Sequence, residues 1–134
     1  MTCVLDACAM IALLRGEPGN DLIWRYVSDS QILSLAHSIN LCEVYYDFYR
    51  VDGESAAVGA IDDLKALGVI ERNDFDQIFW QEAGMRKATI KQVSLADCFA
   101  ITLTNRVGGL LLTSDHHELD TVAAQGICQI VFFR

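Results

Sequence analysis

The sequence contains one proline, no long apolar run and no basic segment before its first apolar stretch. Each of these features limits the classes of protein to which the chain can belong. Its uncharged apolar stretches fall far short of the ~20 residues that a membrane-spanning helix needs, so we expect no membrane association. No basic region precedes the first apolar segment, and Asp6 interrupts that segment, which argues against a secretory signal. Pro18 stands where it can begin a helix. Without repeats or a Pro/Gly-rich linker, the sequence predicts one domain spanning residues 1–134.

The cysteines form neither a disulfide framework nor a zinc framework. There are five of them, scattered along the chain and never spaced as C-x-x-C. Small disulfide-stabilised domains and structural zinc sites both depend on a paired or regularly spaced set of cysteines. The pattern therefore favours free thiols and a protein of the reducing cytoplasm.

Positive charge is scarce, because 10 Lys and Arg residues stand against 18 Asp and Glu residues, a net charge of −8. Phosphate binding depends on basic side chains, so this balance disfavours a nucleic-acid partner. It is compatible with cation binding if several acids converge. The only local concentration of basic residues is the stretch RKATIKQ. Its Arg86, Lys87 and Lys91 form either a solvated face or an RNA-binding, phosphate-contacting rim beside the acids.

Short apolar segments alternate with amphipathic ones, which is the pattern of parallel β-strands joined by helices. Runs such as GLLL fit strands that are buried on both faces. We therefore predict an α/β fold, a three-layer sandwich with helices on both faces of a parallel sheet. Strands are predicted at about 3–5, 32–35, 69–72, 110–113 and 128–133, and helices at about 7–14, 19–27, 38–50, 55–67, 76–89, 95–106 and 117–125.

Two acids follow predicted strands. Asp6 ends the segment VLD, and Asp115 follows LLLTS. Sites in parallel α/β sheets form outside the carboxyl ends of the strands, where the strand order reverses. If the first and fourth strands are neighbours across that point, the two carboxylates face each other. Alternatively, Asp6 only caps the following helix, and Ser114 or Asp115 only caps the helix after the fourth strand.

A third acid, Glu43, lies inside the predicted helix SINLCEVYYDFYR. An apolar stripe drawn through Ile39, Cys42, Tyr46 and Tyr49 would include it. An ionised carboxylate on such a stripe is costly without a partner. The alternative is a helix rotated so that Glu43 faces solvent.

The fourth acid, Asp97, interrupts the most apolar helix of the chain, SLADCFAITLTNR. Its alternative role is local, because Ser94 and Asp97 resemble the S/T-x-x-E capping box with Asp in place of Glu.

The acids together predict a metal site. Clustered carboxylates repel one another, and a divalent cation removes that conflict. Oxygen ligands without an accompanying Cys or His set select Mg²⁺ or Mn²⁺ rather than zinc. One or two such ions would produce a hydroxide from water and stabilise charge on a phosphoryl group.

The ordered segments VLDACA, NLCEVYY, SLADCFAI and LLTSDHHEL give the chain a resemblance to PIN-domain proteins, and it is most similar to the short VapC-type toxin ribonucleases. The resemblance covers nearly the full length. Any one motif is weak, whereas the ordered set of four acids, with Thr113 two residues before the last, is specific.

The resemblance implies a fold, a reaction and partners. The fold is PIN-like, with a five-stranded parallel sheet in the order 3-2-1-4-5, and the activity is that of a metal-dependent endoribonuclease using Mg²⁺ or Mn²⁺. The partners are an RNA substrate, a neutralising antitoxin protein and a second copy of the chain in a homodimer. The implied catalytic and metal-binding residues are Asp6, Glu43, Asp97 and Asp115, supported through hydrogen bonds by Thr113 and Ser114.

The chain departs from the family pattern at two places. A Ser or Thr commonly lies close behind the first Asp, where this chain has Ala7 and Cys8, and His117 replaces the acid often found two residues after the last Asp. The first departure keeps open a second hypothesis, a catalytically weak PIN-like module that binds RNA or protein. A phosphotransfer domain is the third, but Cys8 stands where it would need a second Asp, and no lysine follows Gly108.

Overall fold

The computed structural model describes residues 1–134, and its strands and helices lie close to the predicted segments. None of the helices combines the length and the apolar character needed to cross a bilayer. The strands are β1 (Thr2–Leu5), β2 (Leu33–His37), β3 (Ile70–Arg72), β4 (Leu110–Thr113) and β5 (Ile130–Phe132). The helices are α1 (Ala7–Arg15), α2 (Asn20–Ser28), α3 (Ser38–Asp52), α4 (Glu54–Ala66), α5 (Gln77–Thr89), α6 (Leu95–Val107) and α7 (His116–Ala124).

The five strands form one parallel sheet in the order β3-β2-β1-β4-β5. Strand β1 is central, since Val4 pairs with Leu35 of β2 on one side and with Leu111 of β4 on the other. The chain therefore leaves β1 at the point where the strand order reverses, which is where sites form in such sheets. Both the predicted fold class and the predicted strand order are confirmed.

Each face of the sheet has its own hydrophobic core, which explains why the strands are apolar on both sides. Leu5 and Leu112 pack into a core shared with α1, α2, α3 and α4. Val4 and Leu111, which point the opposite way, pack into a core shared with α5, α6 and α7. The result is the predicted three-layer sandwich.

His37 fixes the start of α3. Strand β2 continues to this residue, past its predicted end at Leu35. The His37 ring is buried, its Nδ1 accepts a hydrogen bond from the N–H of Ile39 at 3.1 Å, and its Nε2 donates to the carbonyl of Asp74 at 2.9 Å. The helix that carries Glu43 is thereby anchored to the end of the sheet.

Two glycines connect α6 to β4. Gly108 ends the helix with a φ of 62°, in the left-handed region that favours glycine. A Cβ on Gly109 would lie 2.5 Å from the carbonyl oxygen of Thr2. Only glycine allows the chain to leave α6 and pair at once with β1, and this pairing sets the position of the loop after β4.

Candidate active site

Asp6 and Asp115 lie at the same edge of the sheet because β1 and β4 are neighbours. Asp6 Oδ1 accepts a hydrogen bond from the N–H of Ala9 at 2.9 Å and caps α1. Asp115 Oδ1 accepts one from the N–H of Glu118 at 3.1 Å and caps α7. Both acids also line one cavity. Each of these two acids therefore caps a helix and also lines the shared cavity.

Asp97 reaches the same cavity from α6. Ser94 caps this helix, and its Oγ accepts a hydrogen bond from the N–H of Asp97 at 3.1 Å. The Asp97 side chain is buried, and one of its carboxylate oxygens lies within 4.8 Å of an oxygen of Glu118 of α7. The first half of the predicted capping box is thus present, while the Asp97 carboxylate is directed to the cavity.

Glu43 reaches the cavity from α3, but not for the reason that the sequence pattern indicated. The buried face of α3 contains Asn40, Leu41 and Val44, whereas Tyr46 is 55 % exposed. The apolar stripe proposed for this helix is therefore wrong, because long aromatic residues were assigned to the core. Glu43 is half-buried beside Asn40, whose Nδ2 donates to Glu43 Oε1 at 3.3 Å.

The cavity has a volume of about 370 Å³ and is dominated by acidic groups. No Lys or Arg side chain lines it. Its carboxylates belong to all four acids singled out in the sequence and to two others: Asp6, Glu43, Asp47, Asp97, Asp115 and Glu118. The remaining lining residues are Ala7, Cys8, Ile11, Tyr46 and Ser94.

Glu118 is an acid of this cavity that sequence reasoning missed. It lies three residues after Asp115, which is the spacing of a capping box at the start of a helix. This spacing places its side chain beside the capping carboxylate and over Asp97. The resemblance directed the prediction to His117, two residues after Asp115, whereas the acid lies one residue further along.

Burial, together with the neighbouring carboxyl groups, raises the pKa of four acids of the cavity: Asp6, Glu43, Asp97 and Glu118. Burial raises the pKa of Asp6 to about 6 and that of Asp97 to about 6. Interaction with the nearby Asp97 carboxyl, together with burial, raises the pKa of Glu118 to about 8. Burial also raises the pKa of Glu43. At neutral pH these raised pKa values favour the retention of a proton by the cluster, unless another positive charge replaces it.

Asp47 differs from the other acids of the cavity because basic side chains already neutralise it. Its Oδ2 lies 3.3 Å from Nη2 of Arg15, and its Oδ1 lies 2.9 Å from Nη2 of Arg50. This pairing removes Asp47 from the set of carboxylates that need a cation.

Thr113 and Cys8 support the acids at the end of the sheet. Thr113 is buried, and its Oγ1 accepts from the N–H of Asp115 at 3.1 Å and lies 3.5 Å from Cys8 Sγ. Cys8 Sγ donates to Asp6 Oδ1 at 3.0 Å. The N–H of Ser114 donates to Cys8 Sγ at 3.4 Å. Ser114 forms no hydrogen bond with a carboxylate of the cavity, so its link to Asp6 runs through the thiol.

Arg86, Lys87 and Lys91 do not line the cavity. The ammonium group of Lys87 donates to the carbonyls of Lys91 and Val93, at 3.1 and 2.8 Å, and so closes the turn after α5. Arg86 Nη2 lies 3.8 Å from Glu82 Oε1, one turn earlier on the same helix. The structure gives two of these three side chains local partners.

The donor set of the cavity fits a hard divalent cation. Oxygen atoms of Asp97, Asp115 and Glu118 lie within 4.8 Å of one another, which is close enough for a single ion to contact one oxygen of each. Asp6 and Glu43 supply further carboxylates on the same cavity. Carboxylate oxygens are ligands that suit Mg²⁺ and Mn²⁺.

Comparison with known proteins gives relatives by structure and not by sequence. No protein-family model matches the chain. No curated protein matches it either. Among solved structures, a chain of the VapBC2 complex of Rickettsia felis, bound to a DNA fragment from its promoter, superposes with a TM-score of 0.76 at 10 % identity, covering 98 % of each chain. A chain of VapBC-1 from nontypeable Haemophilus influenzae gives 0.76 at 18 % identity, over 99 % of this chain and 98 % of that one.

A third similar structure is VapC20 of Mycobacterium tuberculosis, described as a toxin that cleaves the sarcin–ricin loop. Its TM-score is 0.66 at 17 % identity, covering 81 % of this chain and 86 % of that one. At such low identity the likeness concerns the course of the backbone. The chain therefore has the PIN-like fold of the VapC-type structures, as the order of its four acidic motifs predicted from the sequence.

Proposed function

We propose that this protein is a metal-dependent endoribonuclease and the toxin of a toxin–antitoxin pair. The observation that carries the proposal is the convergence of five carboxylates, without a paired basic residue, on one cavity at the carboxyl end of the sheet: Asp6, Glu43, Asp97, Asp115 and Glu118. The VapBC complexes and the RNA-cleaving VapC20 that share its fold support the choice of substrate class and of partner.

The five carboxylates would hold one or two Mg²⁺ or Mn²⁺ ions, with Asp97, Asp115 and Glu118 as the most closely spaced group. A bound ion of this kind supplies an activated water nucleophile and stabilises negative charge on the phosphoryl group. Asp6 Oδ1 accepts hydrogen bonds from the N–H of Ala9 and from Cys8 Sγ, which fix the orientation of its carboxylate. The raised pKa values of Glu118 and Asp97 favour a proton on this pair when no cation is bound.

The catalytically weak alternative rested on the missing hydroxyl at Ala7 and Cys8. Cys8 supplies a hydrogen-bond donor to Asp6 in place of that hydroxyl, which favours the hypothesis of an active enzyme. The phosphotransfer alternative requires an accessible nucleophilic Asp. Asp6 is only 2 % exposed and is held by its capping role, which disfavours that chemistry.

Cleavage of RNA by the purified protein in Mn²⁺ is the direct test. Asp6→Asn is expected to abolish cleavage without lowering the melting temperature. Asp62→Asn, which makes the same change of charge on an exposed side chain of α4, is the matched control and should keep full activity. Saturable RNA binding without cleavage in the wild type would favour the binding module instead.

The proposed partners are a neighbouring antitoxin and a second copy of the chain, and the proposed compartment is the cytoplasm. Expression of the wild-type protein alone should arrest growth, and expression of Asp6→Asn should not. A small open reading frame beside the gene should encode a protein that binds the toxin and restores growth. Sedimentation of the purified protein tests the homodimer.

A further inference from the structure

Tyr46 is the only aromatic side chain that lines the carboxylate cavity. It is 55 % exposed, so its ring stands at the mouth of the cavity and not in either hydrophobic core. It follows Glu43 by three residues on α3, which places the ring and that carboxylate on the same side of the helix. The ring therefore borders the space that a bound substrate must enter.

The cavity and its rim provide few positive charges that could bind the phosphates of a nucleic acid. No Lys or Arg lines it, and Arg15 and Arg50, which contact its rim at Asp47, are already neutralised there. Phosphate contacts by free basic residues normally supply most of the affinity for nucleic acid. On this acidic surface, with a net charge of −8, affinity has to come from another part of the substrate.

We propose that Tyr46 is a stacking platform for an unpaired nucleobase next to the phosphate that is cleaved. This inference rests on the proposed ribonuclease function. Stacking of a base on an aromatic ring requires no positive charge and tolerates any base, so it suits a cavity that otherwise repels the substrate. A base inside a duplex has both faces covered, and the nucleotide that meets Tyr46 must therefore lie outside a helix.

Tyr49 provides a matched control on the same helix. It lies three residues after Tyr46 and is 49 % exposed, but it does not line the cavity. The two tyrosines share residue type, helix and similar exposure, and only Tyr46 lines the cavity. A contact that depends on the cavity should separate them.

Binding is best measured in the Asp6→Asn protein, where the proposed function predicts no cleavage. The probe is a fluorescein-labelled single-stranded oligoadenylate in Mn²⁺ buffer, followed by anisotropy. Adding Tyr46→Ala should weaken binding roughly 5- to 100-fold, and Tyr46→Phe should preserve it. Tyr49→Ala should also preserve it. The same strand annealed to oligouridylate should bind weakly to the Asp6→Asn protein, and equally weakly after Tyr46→Ala is added.

The salt dependence of binding gives an independent readout. If one or two phosphates are neutralised, the logarithm of affinity should fall with the logarithm of salt concentration with a slope of only about −1. Unchanged binding in Tyr46→Ala, an equal loss in Tyr49→Ala, or a slope several times steeper would overturn the proposal. So would a change of oligomeric state in Tyr46→Ala, since the ring would then belong to a protein interface.

The stacking inference and the proposed ribonuclease function can fail separately. If the wild type cleaves RNA and Tyr46→Ala cleaves it with unchanged KM, the stacking inference is wrong and the ribonuclease remains. If the wild type cleaves nothing but the oligoadenylate still binds in a Tyr46-dependent way, the base contact stands and the ribonuclease is wrong.

Discussion

The Sγ atom of Cys8 lies 3.0 Å from Oδ1 of Asp6 and donates a hydrogen bond to it. Burial, reinforced by the neighbouring Asp6 carboxylate, raises the pKa of Cys8 to about 12, so the thiol keeps its proton at physiological pH. The same sulfur receives a hydrogen bond from the N–H of Ser114 at 3.4 Å. Cys8 thus links the residue that follows β4 to the acid that follows β1.

Substitution of Cys8 should therefore distinguish loss of the donor from loss of the sulfur. Cys8→Ser keeps a donor at this position and should retain RNA cleavage, while Cys8→Ala removes it and should lower cleavage roughly 2- to 10-fold. Steady-state kinetics in Mn²⁺, with melting curves for both variants, measure the effect. Equal activity of the serine and alanine variants would show that the hydrogen bond to Asp6 has no functional role.

The stability of the metal-free protein should decrease as pH rises. The pKa values of Asp6 and Asp97, about 6, and of Glu118, about 8, lie above their ordinary values of 3.8 and 4.5. The folded state therefore binds protons more tightly than the unfolded state. The resulting stabilisation is complete below about pH 4 and is lost as pH rises through 6 to 8.

Melting temperatures in EDTA between pH 5 and pH 8.5, with and without added Mg²⁺ in excess of the chelator, check this. The metal-free midpoint should fall across the range, and Mg²⁺ should reduce the fall. Asp97→Asn, which lacks one repelling charge, should melt above the wild type at pH 8 in EDTA. A midpoint that is flat or that rises with pH would refute the description of the cluster.

Glu118 is expected to act as a metal ligand although the sequence motif did not include it. Glu118→Gln keeps the size of the side chain and removes its charge, so Mn²⁺ affinity should fall by at least about 10-fold. Glu54→Gln, on an exposed residue of α4, is the charge-matched control. Titration calorimetry measures both, and equal affinities in the two variants would exclude Glu118 from the site.

Asn40 should act on the site through Glu43. It is completely buried, and its Nδ2 donates to Glu43 Oε1 at 3.3 Å and to the carbonyl of Ala96 at 3.4 Å, so it joins α3 to the start of α6. Asn40→Ala should lower stability by about 1 to 3 kcal/mol and weaken Mn²⁺ binding. In a Glu43→Ala background the same substitution should leave Mn²⁺ affinity unchanged. A further loss of affinity in that double variant would mean that Asn40 acts only through the fold.

The fold was largely predictable because each strand is a short apolar run whose neighbours are helical. Leu110, Leu111 and Leu112 illustrate this, since their alternate burial in two cores requires apolar residues at every position. The positions of Asp6 and Asp115 followed from the same logic, since the ends of adjacent parallel strands meet at one edge.

The rest of the site depends on contacts that periodicity does not encode. The orientation of α3 is set by His37 and Asn40, two buried polar residues, and an apolar stripe through Tyr46 and Tyr49 gave the wrong face. The pairing of Asp47 with Arg15 joins α3 to α1, and no local pattern indicates it. These interactions lie between helices that are distant in sequence.

The most direct test of the account is titration of Mn²⁺ into the metal-free protein at neutral pH, in buffers of different ionisation enthalpy. We expect saturable binding that releases protons, because the raised pKa values of Glu118 and Asp97 favour a bound proton in the metal-free state. Affinity should fall by at least about 10-fold in Asp97→Asn and stay unchanged in Asp62→Asn. Absence of saturable binding, or the same affinity in all three proteins, would contradict the claim that these carboxylates form a metal site.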